Sequence, residues 1–344
     1  MKKTKIFLAG YINIDNAQNI NCRSLCKYIN KKKYSIYTMS IGSKNVNFND
    51  VNVFNCFKPY KVTTFFAMLW GLYNCDIAYF PKHTNTPRII IQLFKFFSKP
   101  IFTTIEMNVS DRSKFNLIDN FGGIKKLINY FSLIPNIYGI SQFIINNNQC
   151  TLSFKNKVLP LGVENDIYVF NHKKKLKNIV FIGHLIKRKR VNELLSLAVV
   201  FPDLGFHVIG DGDLHNELKL KSTNNVHFYG RLKYFEISSM LTDMDLLFLP
   251  SISEGFPKVI LEAAASGIPS IVYSNYGANE WINHNENGFV ADNYDDVINI
   301  INRLQIEENL LSSCSKSVID LANSFAWSKN IKIWEEEIEN ILNA

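Results

Sequence analysis

Short apolar runs alternate with helical stretches through the second half of the chain, and this alternation restricts the fold more than any other feature. Most of the runs end at glycine or proline, as buried strands of a parallel sheet do. The predicted strands are residues 178–183, 204–210, 226–230, 245–250 and 269–273. The predicted helices are 191–200, 214–221, 235–241 and 259–266. The pattern predicts an α/β fold with helices on both faces of the sheet.

The first half shows the same alternation with weaker contrast. Its predicted strands are residues 5–10, 35–39, 76–80, 100–105 and 136–140, and its predicted helices are 19–28, 88–97 and 124–131. A chain of 344 residues is long enough for two domains. We therefore predict two doubly wound, Rossmann-like domains, residues 1–167 and 168–327. Apolar residues in 328–344 follow a helical period, and we expect this helix to pack back on the first domain.

Charge is distributed unevenly between the two halves. Residues 1–170 hold 21 basic and 8 acidic residues, a net charge of +13, whereas the remainder holds 17 and 22, a net charge of −5. A basic first half suits nucleic acid, an anionic membrane or an anionic acceptor, or is a solvated lysine-rich face. No nucleic-acid-binding motif is present, so we expect no nucleic-acid partner.

The sequence favours a cytoplasmic location. The apolar run after Lys5 is too short for a signal peptide. The longest hydrophobic segment, residues 62–73, is too short to span a bilayer. The six cysteines form no C-x-x-C pair, which favours reduced thiols. Residues 88–99 are mostly hydrophobic and carry three basic side chains. This segment is either a core helix or a contact with the cytoplasmic face of an anionic inner membrane.

The sharpest local signal lies in residues 249–269. A buried strand is predicted to end at Pro250, and a helix to begin at Pro257 and stop before Gly267. Backbone N–H groups around residues 255–259 would then point away from the helix start. Together with the helix dipole, they predict a phosphate site.

Two carboxylates flank this predicted phosphate site. Glu254 lies before the helix, and Glu262 lies about five residues inside it, roughly 7–8 Å along the axis. That distance is awkward for two groups acting on one bond, but it suits the two ends of a long ligand with a diphosphate between them. A nucleotide sugar has this shape, and its hydroxyl groups would donate to the carboxylates.

Residues 253–263, Ser-Glu-Gly-Phe-Pro-Lys-Val-Ile-Leu-Glu-Ala, resemble the signature of the retaining glycosyltransferases of family 4, also called group 1. The resemblance implies the GT-B fold, in which two Rossmann-like domains face a cleft and the second binds the donor. Further segments match in the expected order: 158–163, 181–185 with Lys189, 208–212, 226–231, 277–280 and 287–290.

The resemblance implies two catalytic residues, Glu254 and Lys189, with Glu254 near the donor sugar and Glu262 at the ribose. The implied donor-binding residues are Gly183, His184, Lys189, Gly210, Arg231, Glu254, Gly255, Phe256, Pro257, Lys258, Val259 and Glu262. His184 departs from the family, which has arginine there, but the basic run 187–190 still supplies positive charge.

The residues on the acceptor side are less defined. Gly10 follows the first predicted strand and would open the site. The family's histidine beside the donor sugar has two candidate counterparts here, Glu106 and His83.

The implied activity is transfer of a sugar from a UDP- or GDP-sugar, with retention of configuration, to a glycan or lipid-linked acceptor in cell-surface polysaccharide synthesis (lipopolysaccharide, capsule or O-antigen). The resemblance implies no cofactor and no metal, and in agreement the Asp-x-Asp pairs at 211–213 and 243–245 lie beside predicted strands. The alternatives are a non-hydrolysing nucleotide-sugar 2-epimerase and a catalytically inactive nucleotide-sugar-binding protein.

Overall fold

The computed structural model describes residues 3–42, 50–109, 117–307 and 309–344. The chain divides into two compact units: Met1–Leu161 with Trp327–Ala344, and Gly162–Ala326. The boundary follows Leu161 rather than residue 167, since Val163 N donates to Phe325 O inside the second unit at 3.0 Å.

The first unit is built on a six-stranded sheet in the order β3-β2-β1-β4-β5-β6, with all pairs parallel. Its strands are β1 Thr4–Tyr11, β2 Tyr34–Ile41, β3 Val51–Cys56, β4 Ile77–Tyr79, β5 Ile101–Ile105 and β6 Asn136–Gly139. Its helices are α1 Ala17–Tyr28, α2 Tyr60–Asn74, α3 Arg88–Phe96, α4 Leu117–Phe121, α5 Ile124–Phe131, α6 Gln142–Asn148 and α13 Trp327–Asn343.

The second unit repeats this plan in the order β12-β11-β10-β7-β8-β9, again with parallel pairs. Its strands are β7 Asn178–Ile182, β8 Gly205–Ile209, β9 Val226–Gly230, β10 Leu246–Leu249, β11 Ser270–Tyr273 and β12 Phe289–Ala291. Its helices are α7 Val191–Val200, α8 His215–Lys221, α9 Tyr234–Leu241, α10 Lys258–Ala265, α11 Tyr294–Ile306 and α12 Leu310–Ser324.

Both sheets place their first and fourth strands side by side at the centre. These strands are mostly apolar and buried, since helices cover both faces; all four residues of β10 are buried. Chain order along the sheet reverses between the two central strands, which is the topology of a doubly wound domain. The predicted α/β fold class is confirmed.

The C-terminal helix α13 belongs to the core of the first unit. Trp334 packs edge-on against Tyr79, with ring centroids 5.3 Å apart, and its Nε1 donates to Pro160 O at 3.0 Å. Tyr138 donates to Glu337 at 3.0 Å. The apolar stripe of this helix therefore covers the sheet of the first unit, while its acidic residues meet polar groups at the margin.

Within the described ranges, every helix is too short or too polar to cross a lipid bilayer.

Candidate active site

The site is built at the point where strand order reverses in the second sheet. The loop after β7 and the loop after β10 leave adjacent strands at this point. A crevice at the carboxyl ends of such strands is the usual ligand site of doubly wound folds. Most of the donor-binding residues predicted from the sequence lie on these two loops and at the start of α10.

Glycines let the loops after β7 and β8 approach each other closely. A Cβ at Gly210, which has φ +142°, would lie 1.8 Å from Gly183 O, and a Cβ at Gly212 would lie 2.6 Å from Leu185 O. The loops are joined by hydrogen bonds, Gly183 N to Ile209 O at 2.9 Å and Leu185 N to Asp211 O at 3.0 Å. Any side chain at Gly210 would separate the loops.

A charge cluster joins the loop after β7 to the loop after β10. Lys189 forms an ion pair with Glu254, and Arg188 Nη1 lies 3.3 Å from Glu254 Oε2. The side chains of Lys189 and Glu254 are only 11 % and 9 % exposed. Arg188 also donates to Ser253 O, and its own carbonyl accepts from Ile252 N at 2.9 Å. Both loops are therefore fixed by contacts between charged side chains and backbone.

The charge cluster sets the ionisation of Glu254. Burial alone would raise the pKa of this carboxyl, but the charges of Lys189 and Arg188 outweigh burial and hold the pKa below its ordinary value. Glu254 is therefore ionised at neutral pH. The sequence placed Lys189 and Glu254 in one site without predicting their contact, and it counted Arg188 only as part of a basic run.

The start of α10 is held by an aromatic cluster. Phe256 is buried, with its ring centroid 5.0 Å from Trp281 and 5.0 Å from Phe325. Pro257 is the N-cap residue, so α10 begins at Lys258, one residue after the predicted start. The Pro257 side chain supplies no cap. Gly255, Lys258 and Val259 are partly exposed. Phe256 thus anchors the loop that leads into α10.

Glu262 has different neighbours from Glu254. It lies one turn after Lys258 on α10 and is partly exposed. Burial raises the pKa of its carboxyl to about 7, against the charge of Lys258. Burial, and then the charge of Glu262, raise the pKa of Tyr168. Tyr168 was absent from the predicted site because its segment carries no recognisable motif.

Two predicted donor-binding residues lie at the surface. His184 is exposed directly after Gly183. Arg231 is exposed after β9, the edge strand of the sheet, two strands away from β7. The structure therefore brings Lys189 and Glu254 together. Arg231 instead lies after the edge strand β9, two strands away from β7.

Two of the predicted acceptor-side residues follow strands of the first sheet, His83 after β4 and Glu106 after β5. Gly10 was predicted to follow the first strand but lies inside β1, which continues to Tyr11. A Cβ at Gly10 would lie 2.6 Å from Cys22 Sγ, so this glycine lets α1 pack closely. His83 is buried, its Nε2 lies 2.6 Å from Thr103 Oγ1, and burial lowers its pKa to about 3. Glu106 accepts from Asn21 Nδ2 at 3.1 Å and is partly exposed. His83 is thus a neutral, hydrogen-bonded group, whereas Glu106 reaches the surface.

Among the described residues, no three His, Cys, Asp or Glu side chains are grouped to hold a metal ion. Asp245, one of the Asp-x-Asp residues, accepts from Lys177 N at 2.9 Å and Asn178 N at 2.8 Å. Asp211 accepts from Gly212 N at 2.8 Å. These two carboxylates bind backbone amides.

The family model described as group 1 glycosyl transferases matches residues 163–319. The match covers nearly the whole of the second unit, which is therefore similar to this family along almost its full length. The resemblance inferred from residues 253–263 is therefore confirmed at the level of this family.

Two curated relatives match part of the chain. The chain is 30 % identical over 223 residues to UDP-Gal:alpha-D-GlcNAc-diphosphoundecaprenol alpha-1,3-galactosyltransferase of Escherichia coli, an alignment covering 62 % of the chain and 55 % of the relative. It is 31 % identical over 130 residues to the Escherichia coli O-antigen biosynthesis glycosyltransferase WbnH, covering 37 % of each. The chain thus spans about half, or less, of the length of these relatives.

Among solved structures, the chain is similar to HepE of Anabaena in complex with UDP and glucose. The TM-score is 0.79 with 15 % identity, and the match covers 98 % of this chain and 100 % of that one. This likeness concerns the fold, and it agrees with the predicted GT-B class.

Removing one member of the buried pair should destabilise the second unit. We expect Glu254→Gln to lower the free energy of unfolding by about 3–5 kcal/mol, because Lys189 stays buried without its counter-charge. The double variant Lys189→Met with Glu254→Gln should recover part of this loss. Chemical denaturation of both single variants and the double variant gives the coupling energy.

The matched control is the exposed pair Lys221–Glu217 on α8, whose N···O distance is 2.6 Å. Because both side chains are more than half exposed, neutralising either should change stability by less than about 1 kcal/mol. Additive single-variant effects at Lys189 and Glu254 would contradict a buried, coupled pair.

Proposed function

We propose that the protein is a glycosyltransferase that binds a nucleotide-diphosphate sugar in its second unit. The observation that carries this proposal is the cluster of Lys189, Arg188 and Glu254 on the loops after the central strands, beside the start of α10. Cations and helix N–H groups placed together favour a diphosphate. Catalysis would then consist mainly of stabilising the negative charge that develops on the leaving diphosphate.

The ion pair gives Glu254 and Lys189 linked roles. A bound diphosphate would compete with Glu254 for Lys189, because phosphate oxygens and a carboxylate need the same ammonium. Glu254 would then accept hydrogen bonds from hydroxyl groups of the donor sugar. The free site thus keeps its buried charges neutralised until the donor arrives.

We assign Glu262 to the ribose. With a pKa of about 7, this carboxyl is partly protonated at neutral pH in the free protein. Ribose hydroxyl groups donating to it would favour its ionised form and lower its pKa. The partly exposed Gly255, Lys258 and Val259 lie between the two carboxylates in sequence and would line the diphosphate.

The relatives support a substrate class. The first Escherichia coli relative is named for UDP-galactose and a lipid-linked diphosphate acceptor, and the second for O-antigen biosynthesis. We therefore propose a UDP-sugar donor, a glycan or lipid-linked acceptor, and a role in cell-surface polysaccharide synthesis. Retention of configuration and independence of metal ions follow from the family resemblance and are part of the proposal. The free state of all six cysteines supports a cytoplasmic site of action.

A transfer assay tests this proposal. With UDP-galactose, a GlcNAc-diphosphate-lipid acceptor and EDTA, the chain should form an α-linked galactoside and release UDP. Lys189→Met should lower kcat about 100- to 1,000-fold, as expected for loss of a charge-stabilising group. Lys187→Met, which removes an exposed lysine from the same turn, should retain most of the activity. A thermal-shift screen of UDP-, GDP- and ADP-sugars would choose the donor if UDP-galactose fails.

The alternatives give different results in the same system. A 2-epimerase would release ManNAc from UDP-GlcNAc without an acceptor. An inactive protein would bind the donor without turnover against any acceptor. Equal activity of Lys189→Met and Lys187→Met would contradict the assigned role of Lys189.

We further propose that the first unit contacts an anionic membrane surface. Helix α3 buries Ile90, Ile91 and Phe94, as a core helix does. Yet Phe96 at its end is 79 % exposed, and Tyr73 at the end of the neighbouring α2 is 86 % exposed. Large exposed apolar side chains beside a basic surface suit the headgroup region of anionic lipids.

Vesicle sedimentation tests this contact. Wild-type protein should sediment with phosphatidylglycerol vesicles more than with phosphatidylcholine vesicles, and salt should weaken the binding. Replacing Phe96 and Phe97 by Ser should reduce binding about tenfold or more, because both side chains are more than half exposed. The control Leu220→Ser removes an 88 % exposed leucine from the second unit and should have no effect. Equal losses in both variants, or binding insensitive to salt, would contradict the proposal.

A further inference from the structure

The residue that follows Lys189 has an unusual backbone conformation. Arg190 is the N-cap residue of α7, and its φ of +46° and ψ of +39° lie in the left-handed region. A residue with a Cβ adopts this region at an energetic cost that glycine avoids. Such a conformation persists where the surrounding structure holds it in place. The contacts of Arg190 therefore show what fixes the turn that carries Lys189.

A carboxylate and a tyrosine contact Arg190. Arg190 Nη1 lies 3.3 Å from Glu193 Oε1, and Glu193 N donates to Arg190 O at 2.9 Å. The second oxygen of the same carboxylate, Oε2, accepts from the Tyr273 hydroxyl at 2.5 Å. The Arg190 guanidinium also lies 5.9 Å from the centroid of the Tyr273 ring. Each of these three side chains thus contacts the other two, and we call them the Arg190 cluster.

Tyr273 fixes the Arg190 cluster to the sheet. It is the last residue of β11, which lies two strands away from β7 on the far side of β10, and it is only 4 % exposed. Burial, and then the hydrogen bond to Glu193, raise the pKa of its hydroxyl, so this hydroxyl stays protonated and donates. The end of a buried strand therefore holds the start of α7 through one carboxylate.

We propose that the Arg190 cluster positions Lys189 for the diphosphate of the donor, an inference that rests on the proposed function. The turn that carries Lys189 is held from two directions. The ammonium of Lys189 contacts Glu254 on the loop after β10, and the next residue is fixed to the end of β11. In the proposed binding step, the diphosphate takes Lys189 from Glu254 and the first contact is lost. The Arg190 cluster does not involve the Lys189 side chain, so it holds the turn while the ammonium exchanges partners.

Two substitutions of Arg190 test the backbone conformation alone. Arg190→Gly and Arg190→Ala both remove the guanidinium and its charge, but only glycine adopts a φ of +46° without cost. In calorimetric titrations of the full chain with UDP, we expect the glycine variant to bind about fivefold or more tightly than the alanine variant. Equal UDP affinities of the two variants would overturn the inference.

Asn285 provides the matched control for this pair of substitutions. It also has a left-handed conformation, with φ +67°, and it precedes β12 in the same unit. Asn285→Gly and Asn285→Ala should differ in stability but bind UDP equally. A difference in UDP affinity as large as that between the Arg190 variants would show a general effect of backbone strain and would overturn the inference.

The hydroxyl of Tyr273 is tested by Tyr273→Phe, which keeps the buried ring. We expect UDP affinity to fall about fivefold or more, because the hydrogen bond to the Glu193 carboxylate is lost. The control Tyr138→Phe removes a buried hydroxyl that donates to Glu337 at 3.0 Å in the first unit, and it should leave UDP affinity unchanged. Wild-type affinity in Tyr273→Phe, or equal losses in both variants, would overturn the inference. Because Arg190 is exposed, its variants keep the test open even if Tyr273→Phe does not fold.

Amide hydrogen exchange of the free protein separates this inference from the proposed function. Tyr273→Phe should speed exchange of the Lys189 and Arg190 N–H groups, which donate to Ile186 O at 2.9 Å and Lys187 O at 3.2 Å. Unchanged exchange would overturn the inference. If exchange responds but the wild-type chain does not bind UDP, the donor function fails and the role of the Arg190 cluster in holding this turn stands. If UDP binding is lost in Lys189→Met but unchanged in Tyr273→Phe, the donor function stands and the inference fails.

Discussion

The buried ion pair between Lys189 and Glu254 is the interaction on which the candidate site depends. It joins loops from two adjacent central strands, and burial makes each charge costly without the other. The pair also brings a cation close to the start of α10, whose N-cap residue Pro257 supplies no side-chain cap. In the proposed function, the positive charge that receives the diphosphate is thus held in place in advance by an internal carboxylate.

This arrangement requires the glycines that precede it. Gly210 and Gly212 let the loop after β8 lie directly against the backbone of Gly183 and Leu185. That contact fixes the start of the loop that carries Arg188 and Lys189. The Gly-x-Gly pattern therefore has a structural role, since it positions the neighbouring loop without needing to touch a ligand.

The two sheets share a strand order, but the lysines that follow their central strands have different neighbours. In the second sheet Lys189 is paired with Glu254, and in the first Lys82 lies over the ring of Tyr11. A lysine with an internal carboxylate partner is neutralised in the free protein and must exchange that partner on binding. The same strand order thus places a lysine after a central strand of each sheet in two different environments.

The sequence predicted most elements of the second unit because most of its strands are short apolar runs, and β7, β8, β9 and β10 end at or just before glycine or proline. It missed β3, whose residues are partly exposed and alternate with asparagine, as an edge strand can. It also missed helix α2. The exposed face of this helix carries Phe66 and Tyr73, so its sequence does not show the polar face from which a helical period is recognised. The ion pair joins residues 65 positions apart, so only the strand order could bring them together. Likewise, the burial of Phe256 and the surface position of Arg231 depend on tertiary packing that local motifs do not encode.

A crystal structure of the chain with bound UDP tests the central claim most directly. The account predicts diphosphate oxygens within hydrogen-bond distance of Lys189 Nζ and of the first N–H groups of α10, with the ribose hydroxyls on Glu262. UDP bound at another edge of the sheet, with Lys189 still paired only to Glu254, would contradict it.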